Sequence, residues 1–234
     1  MNVHIDWDRI ENFIGYGNIN APVVFIGMEE SLDNDVPLAD DLRMRSQFDK
    51  VVDLRAAGEA SIRKFQRTWK PMCDLMLRRC SKASNYESRL SYQIEELGHK
   101  DGKTLIAELL PYPRKNRRDP NDWQSYEAFE RGSYESYKSR VLPGRIERLK
   151  SVLAQGEREF IVCHGKAERL AFEALFDDPD WRSDSGFECC VWKGVHVLLV
   201  SQLSTKTFNS DEQLQRFADV AMQSDHDHEA GGRV

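Results

Sequence analysis

The sequence is short of the features that mark an exported, membrane-bound or metal-stapled chain. Its 234 residues hold five cysteines, Cys73, Cys80, Cys163, Cys189 and Cys190, with no CxxC pair among them. An odd, scattered set of thiols fits reduced and mostly buried cysteines, so a cytoplasmic location is expected. No Cys/His cluster has zinc-ligand spacing, and His226 and His228 sit in a polar end segment, so no metal is expected. No apolar run approaches the roughly 20 residues of a membrane span. The first ten residues, MNVHIDWDRI, have neither the charged nor the apolar region of a secretory signal. There is no GxGxxG and no GxxxxGK[ST], so no nucleotide cofactor is expected, and there is no GxSxG elbow. A net charge of -6 argues against a strongly basic nucleic-acid coat protein and leaves room for a local basic groove. Repeats, low-complexity linkers and domain breaks are lacking too. One domain over residues 1–223 is expected, with a disordered tail at 224–234.

What is present organises itself around PVVFIGMEES, residues 22–31. Val23-Val24-Phe25-Ile26 reads as a strand buried on both faces, cut off by Gly27. Gly27 permits a tight turn and close approach to the backbone. Glu29 and Glu30 follow, just past the strand's carboxyl end, where open α/β sheets bind ligands. Thr104 to Leu110 is a second buried strand, and Glu108 inside it must be paired or face a pocket. Next comes PYPRKNRRDPNDW, residues 111–123, read as a basic loop whose prolines cannot continue the strand. Its Arg114, Lys115, Arg117 and Arg118, with Tyr112 and Trp123 as aromatic surface, suit phosphate neutralisation and base stacking.

Phe160 to Cys163 is a third strand, running into His164-Gly165 and a helix from Lys166 to Phe176. Phe187 to Trp192 and Val195 to Val200 form a hairpin about Lys193-Gly194. A hydroxyl-rich loop, Ser201 to Thr207, follows, and Ser210 caps a last helix. Elsewhere the spacing of apolar residues predicts helices over 42–54, over 62–80 from a cap at Ser61, over 86–97 closed by Gly98, and from Pro143 to about Ala154. Arg63, Lys64, Arg67, Lys70, Arg78 and Arg79 lie on the polar face of the second of these. That face is either solvated or in contact with phosphates. The fold class is α/β, with parallel strands near 22–27, 104–110, 160–163 and 195–200.

In this order the motifs resemble the uracil-DNA glycosylase superfamily, over roughly residues 20–223. VVFIGMEES is similar to the first motif, with Glu29 where a water-orienting acid would stand. TLIAELLPYPRKNR resembles the second, with Glu108 in the place of the base-reading Asn. FIVCHGKAERLAF resembles the third and HVLLVSQLSTKTFNSDEQL the fourth, with Leu203 and Ser204 on its Leu-Ser end. The last loop carries no histidine and no proline. A carboxylate at 108 accepts from an exocyclic amine and repels the carbonyls of uracil.

The resemblance implies a three-layer α/β/α domain with a short, mostly parallel sheet. It implies a DNA-processing protein that hydrolyses the N-glycosidic bond of a flipped, modified base in single-stranded or damaged duplex DNA. Glu29, with Glu30 beside it, would be catalytic. Gly27, Met28, Glu108 and His164 would surround the base. Arg114, Lys115, Arg117, Arg118, Ser201, Gln202, Ser204 and Lys206 would meet the DNA. A non-catalytic module binding nucleic acid or protein on the same fold, and a hydrolase of free nucleosides or nucleotides, are the alternatives. The reaction implied asks for no cofactor or metal.

Overall fold

A computed structural model describes residues 5–32, 36–58, 62–114, 123–127, 129, 131–184 and 186–222. Its centre is a mixed sheet of eight strands in the order β3-β1-β4-β2-β5-β8-β7-β6. The strands are β1 Gly15–Gly17, β2 Val23–Ser31, β3 Val51–Val52, β4 Thr104–Arg114, β5 Phe160–His164, β6 Arg182–Asp184, β7 Phe187–Trp192 and β8 Val195–Val200. The middle four, β4-β2-β5-β8, are parallel throughout and are the four strands the sequence predicts. Antiparallel pairing of β1 with β4, and of β8 with β7 and β7 with β6, widens the sheet at both sides. In place of the expected short, mostly parallel sheet, the sheet is mixed and eight strands wide, with a parallel stretch of four at its centre. The strands not expected, β1, β3 and β6, are two- and three-residue pieces, too short to show a period-2 pattern, whereas β7 is the strand expected at Phe187–Trp192.

Along β2, alternate side chains serve two cores. Val24, Ile26 and Met28 join one, with Tyr137, Leu149, Phe172 and Leu175. Val23 and Phe25 join the other, with Met72, Leu75, Met76, Leu214 and Phe217. A strand that feeds cores on both sides has no face for polar residues, hence the unbroken VVFI run.

The helices are α1 Trp7–Asn12, α2 Leu38–Arg45, α3 Trp69–Arg79, α4 Tyr86–Glu95, α5 Gln124–Glu127, α6 Tyr134–Leu153, α7 Arg169–Leu175 and α8 Asp211–Met222. Several bounds differ from those expected. The helix expected over 42–54 lies at Leu38–Arg45, and Val51–Val52 is a strand instead. The helix α3 starts at Trp69, not near residue 62, because Pro71 has no N–H and fits only the first turn. Ser61, its expected cap, lies outside the described residues. The helix α6 begins at Tyr134, capped by the Ser133 side chain, and runs straight through Pro143. An internal proline costs about 3 kcal/mol, and the buried face of Tyr137, Val141, Ile146, Leu149 and Val152 offsets it.

The largest difference is in β4, which continues through Pro111 and Pro113. Opposite it, Glu29 pairs with Leu110 and Ser31 with Arg114, so β4 bulges by two residues. A bulge needs fewer ladder donors, which is where proline fits a strand. Between the prolines, the Tyr112 N–H donates to the Tyr137 hydroxyl at 3.1 Å.

Candidate functional site

At one level of the sheet β5 and β8 end, at His164 and Val200, while β2 and β4 run on to Ser31 and Arg114. Gly27 therefore does not cut its strand off as expected, and Glu29 and Glu30 lie within β2. Gly27 of β2 lies beside Glu108 of β4, Ile26 beside Cys163 of β5, and His164 beside Val200 of β8. Gly27, Glu108, His164 and Val200 thus make a row across four strands, and Ser201 is the next residue on. The Glu108 carboxylate Oε2 and His164 Cε1 both meet the space over the Gly27 Cα. A Cβ there would collide with the carboxylate and lie 2.6 Å from the imidazole. Gly27 is therefore needed for a close approach, and what approaches is this acid and this histidine. His164 is 1% exposed, and the Glu108 side chain is half-buried.

Glu29 and Glu30 turn to different partners. The Glu29 side chain is wholly buried, with Arg114 Nη1 3.8 Å from its Oε2. The Arg114 guanidinium lies over the Tyr134 ring at 4.4 Å. Burial and the negative charge of Glu29 push the Tyr134 phenol well up, so it stays protonated. Glu30 accepts from the Tyr16 hydroxyl at 3.0 Å and from Arg45 Nη1 at 2.7 Å. Arg45 also reaches Asp41, through Nε at 2.5 Å. Burial works against the Arg45 charge, and Glu30, Tyr16 and Asp41 more than offset it. Asp41 is pushed up by burial, against the pull of Arg45.

Beside Glu30 and Glu108 is a narrow crevice of about 10 Å³, lined by Tyr16, Glu30, Arg45, Glu108, Pro111 and Arg145. Arg145 of α6 is 1% exposed. It gives Nε and Nη2 to the Glu108 carbonyl at 3.0 and 2.8 Å, Nη2 to the Ile14 carbonyl at 2.9 Å, and Nη1 to the Phe13 carbonyl. Burial brings its guanidinium down to about 10. It ties the chain entering β1 to the middle of β4 and so shapes one wall of the crevice.

The remaining expected residues fall as follows. Met28 is 1% exposed and part of the core shared with α6. Arg114 is buried beside Glu29, while Lys115, Arg117 and Arg118 lie outside the described residues. Ser201 and Gln202 are half-buried after β8, and the Ser201 Oγ is 3.5 Å from the Thr205 Oγ1. Ser204 and Lys206 are exposed, while Leu203 just before them is in the core.

The expected aromatic surface is not there. Tyr112 and Trp123 are buried in a stack with Tyr126 and Tyr137, rings 4.3–6.3 Å apart. Their polar ends are satisfied inside: the Tyr112 hydroxyl donates to Glu11 at 2.6 Å and the Trp123 N–H to the Gly132 carbonyl at 2.7 Å. On α3, Arg78 pairs with Asp74 at 2.6 Å, Arg79 pairs with Glu159, and Lys70 donates to the Asn209 carbonyl at 3.2 Å. These contacts hold three of the charges on its basic face. Among the described residues no three His, Cys, Asp or Glu side chains gather as metal ligands would, and no helix is long and apolar enough to cross a membrane.

Tyr16, Arg45, Tyr134 and Arg145 were not foreseen at the site. Arg145 had a legible signal. It falls in helical register with Tyr137, Val141 and Leu149 on an apolar stripe, where a charge must find partners. Comparison of the sequence with protein-family models and with curated proteins found no match.

Proposed function

We propose that the chain is a DNA-processing protein that takes an everted, modified base at the carboxyl edge of its sheet and hydrolyses the N-glycosidic bond. The domain would be three-layered and similar to the uracil-DNA glycosylases. One observation carries the reading. The four strands bearing the expected motifs are neighbours and parallel, so Glu29, Glu30, Glu108, His164 and Ser201 come to one edge. In this reading Glu29 orients water and stabilises the cationic sugar, and Glu108 meets an exocyclic amine on the base. Ser201, Gln202, Ser204 and Lys206 approach the phosphates or the groove. Extruding a base costs a few kcal/mol, which basic contacts from the segment beginning at Arg114 offset.

The test is a screen of oligonucleotides carrying different damaged bases, treated with alkali to cut at abasic sites. Cleavage on at least one substrate is expected, and no cleavage on any would sink the reaction. A second reading, a binding module without catalysis, is favoured by one observation. The Glu29 carboxylate is fully enclosed by its surroundings, with Arg114 and Tyr134 against it, and water reaches it only if that contact opens. Salt-dependent DNA binding with no base release would select this second reading.

A further inference from the structure

We propose that the seam between α1 and the exposed flank of α6 is a phosphate-binding surface, on which Arg140 and Arg148 carry the DNA strand that leads away from the everted base. The inference rests on the reading above and adds the path of the backbone, far from the segment that follows Arg114.

Three observations carry it. First, the seam concentrates positive charge in a chain whose net charge is -6. The Glu11 carboxylate of α1 accepts from Arg131 Nη2 at 2.6 Å and from Arg140 Nη1 at 2.9 and 3.0 Å, and the Glu11 carbonyl accepts from Arg148 Nη1. Three guanidiniums thus gather about one carboxylate, and among the described residues they meet no other. The Tyr112 phenol in the same cluster is pushed well up by burial and by Glu11, so it stays neutral and leaves the excess of positive charge in place. Glu147 of α6 is paired with Lys150 at 3.6 Å.

Second, the cations are arranged and open. Arg131 is fixed, with its guanidinium 4.3 Å from the Trp7 ring centre and bonded to the Tyr112 hydroxyl. The Arg140 side chain is 49% exposed and Arg148 is half-buried. Arg140, Gly144 and Arg148 follow one another at one-turn intervals, so they share a flank of the helix. Gly144 is exposed, and a Cβ there would lie 3.7 Å from Arg148 Nη2. Between the two arginines the flank is therefore bare backbone, which lets a phosphate come close. A guanidinium has several N–H donors, so Arg140 can keep Glu11 and still fork onto phosphate oxygens.

Third, the flank leads away from the candidate site. The helix α6 starts at the carboxyl edge, where Arg114 lies over the Tyr134 ring, and ends at the amino side, where the Val152 carbonyl meets Arg158. Arg140 and Arg148 are about 12 Å apart along its axis, the rise of roughly three to four nucleotides of one strand. A strand with its base at the carboxyl edge would lay its neighbouring phosphates along this flank.

The experiment measures binding of labelled oligonucleotides, single-stranded and mismatched duplex, by fluorescence anisotropy over a series of salt concentrations, with thermal melting of each variant. R140A and R148A should each weaken binding and make the salt slope shallower by about one unit, and the double variant by about two. R140K and R148K keep the charge and should restore the wild-type slope. E11Q removes the carboxylate that competes with phosphate and should tighten binding at low salt. R182A, 81% exposed on the edge strand β6, should leave the slope unchanged. Unchanged slopes in R140A and R148A, an equal change in R182A, or a folded E11Q that binds no tighter overturn the surface. Displacement of the DNA by polyglutamate at matched charge would assign the seam to an acidic protein partner and also overturn it. If E11Q melts too low to assay, the lysine variants decide. A wild type that binds no oligonucleotide overturns the DNA reading and the surface together. A wild type that binds and releases base, with slopes that R140A and R148A match, overturns the surface alone.

Discussion

The two ends of the same parallel strands are built from different chemistry. At the amino end of β2, Arg158 is the buried cation. Its guanidinium donates to the carbonyls of Ile19 at 2.6 Å, Val152 at 2.7 Å and Leu153 at 3.4 Å, and also to that of Ala21. Nearby, the Gly98 N–H donates to the Thr104 hydroxyl at 2.8 Å. Those partners are backbone groups and a neutral hydroxyl, so no proton is set up to move. At the carboxyl end the partners are ionisable. Glu29 faces Arg114, Glu30 faces Arg45 and Tyr16, and the Glu108 carboxylate and His164 ring both stand over Gly27. Burying charge is costly at either end. At the amino end it holds the fold together, whereas at the carboxyl end it concentrates groups whose protonation can change.

Substitutions separate the two ends. The largest effect is expected at Arg145, which belongs to both roles. Arg145→Met leaves three buried carbonyls without their donor, and each such group costs about 1–3 kcal/mol. We expect more than about 3 kcal/mol lost in denaturant unfolding, together with loss of base release as the Glu108 stretch of β4 shifts. Arg158→Met strips the donor from four carbonyls and should likewise cost more than about 3 kcal/mol, yet leave base release per folded molecule unchanged. An equal loss of function from the two variants would erase the distinction between the ends.

A smaller contrast lies between the two adjacent acids. Glu29→Gln weakens a wholly buried contact and should cost about 1–3 kcal/mol of thermal stability. Glu30, a quarter exposed and sharing Arg45 with Asp41, should lose about 1 kcal/mol or less as Glu30→Gln. If the two melt alike, Glu29 is not the enclosed partner of Arg114.

The smallest effect is in the acid limb of stability, with opposite signs at the two ends. Asp53, near the amino edge, is held well below the ordinary carboxylate range by its hydrogen bond from Arg55. Its contribution is present above its unfolded value of 3.8 and fades as pH falls through the lower folded value. Asp41 is raised by burial, so its folded form takes up a proton more readily and its cost is relieved as pH falls. Melting temperatures measured below about pH 5 should therefore fall less steeply in Asp53→Asn than in wild type, and more steeply in Asp41→Asn. The same slope in both variants would contradict these environments.

Much of the framework could be read from residue types alone. The four parallel strands stood out because each is a β-branched or aliphatic run bounded by Gly, Pro or polar turns. The hairpin stood out because Lys193-Gly194 takes the positive φ of a tight turn, 50° and 82°. The strand ends also put Glu108, His164 and Gly27 on one edge. What could not be read was long-range. Nothing near Tyr112 shows that its hydroxyl would find Glu11, 101 residues away, and so draw an apparent surface aromatic into the core. Nothing near Pro111 shows that β4 would bulge and keep going. Glu29 and Glu30 are adjacent and identical in type. Their different fates depend on Arg114 from β4 and Arg45 from α2, which only the packed structure brings to them.

The most direct test of the central claim, that the carboxyl edge is where the chemistry happens, compares E108Q with R158M on one oligonucleotide. Both are measured by single-turnover base release at equal folded concentration. The account predicts wild-type rates for R158M and a loss of about 10²- to 10⁴-fold for E108Q. Full activity in E108Q, or an equal loss in both variants, would contradict it.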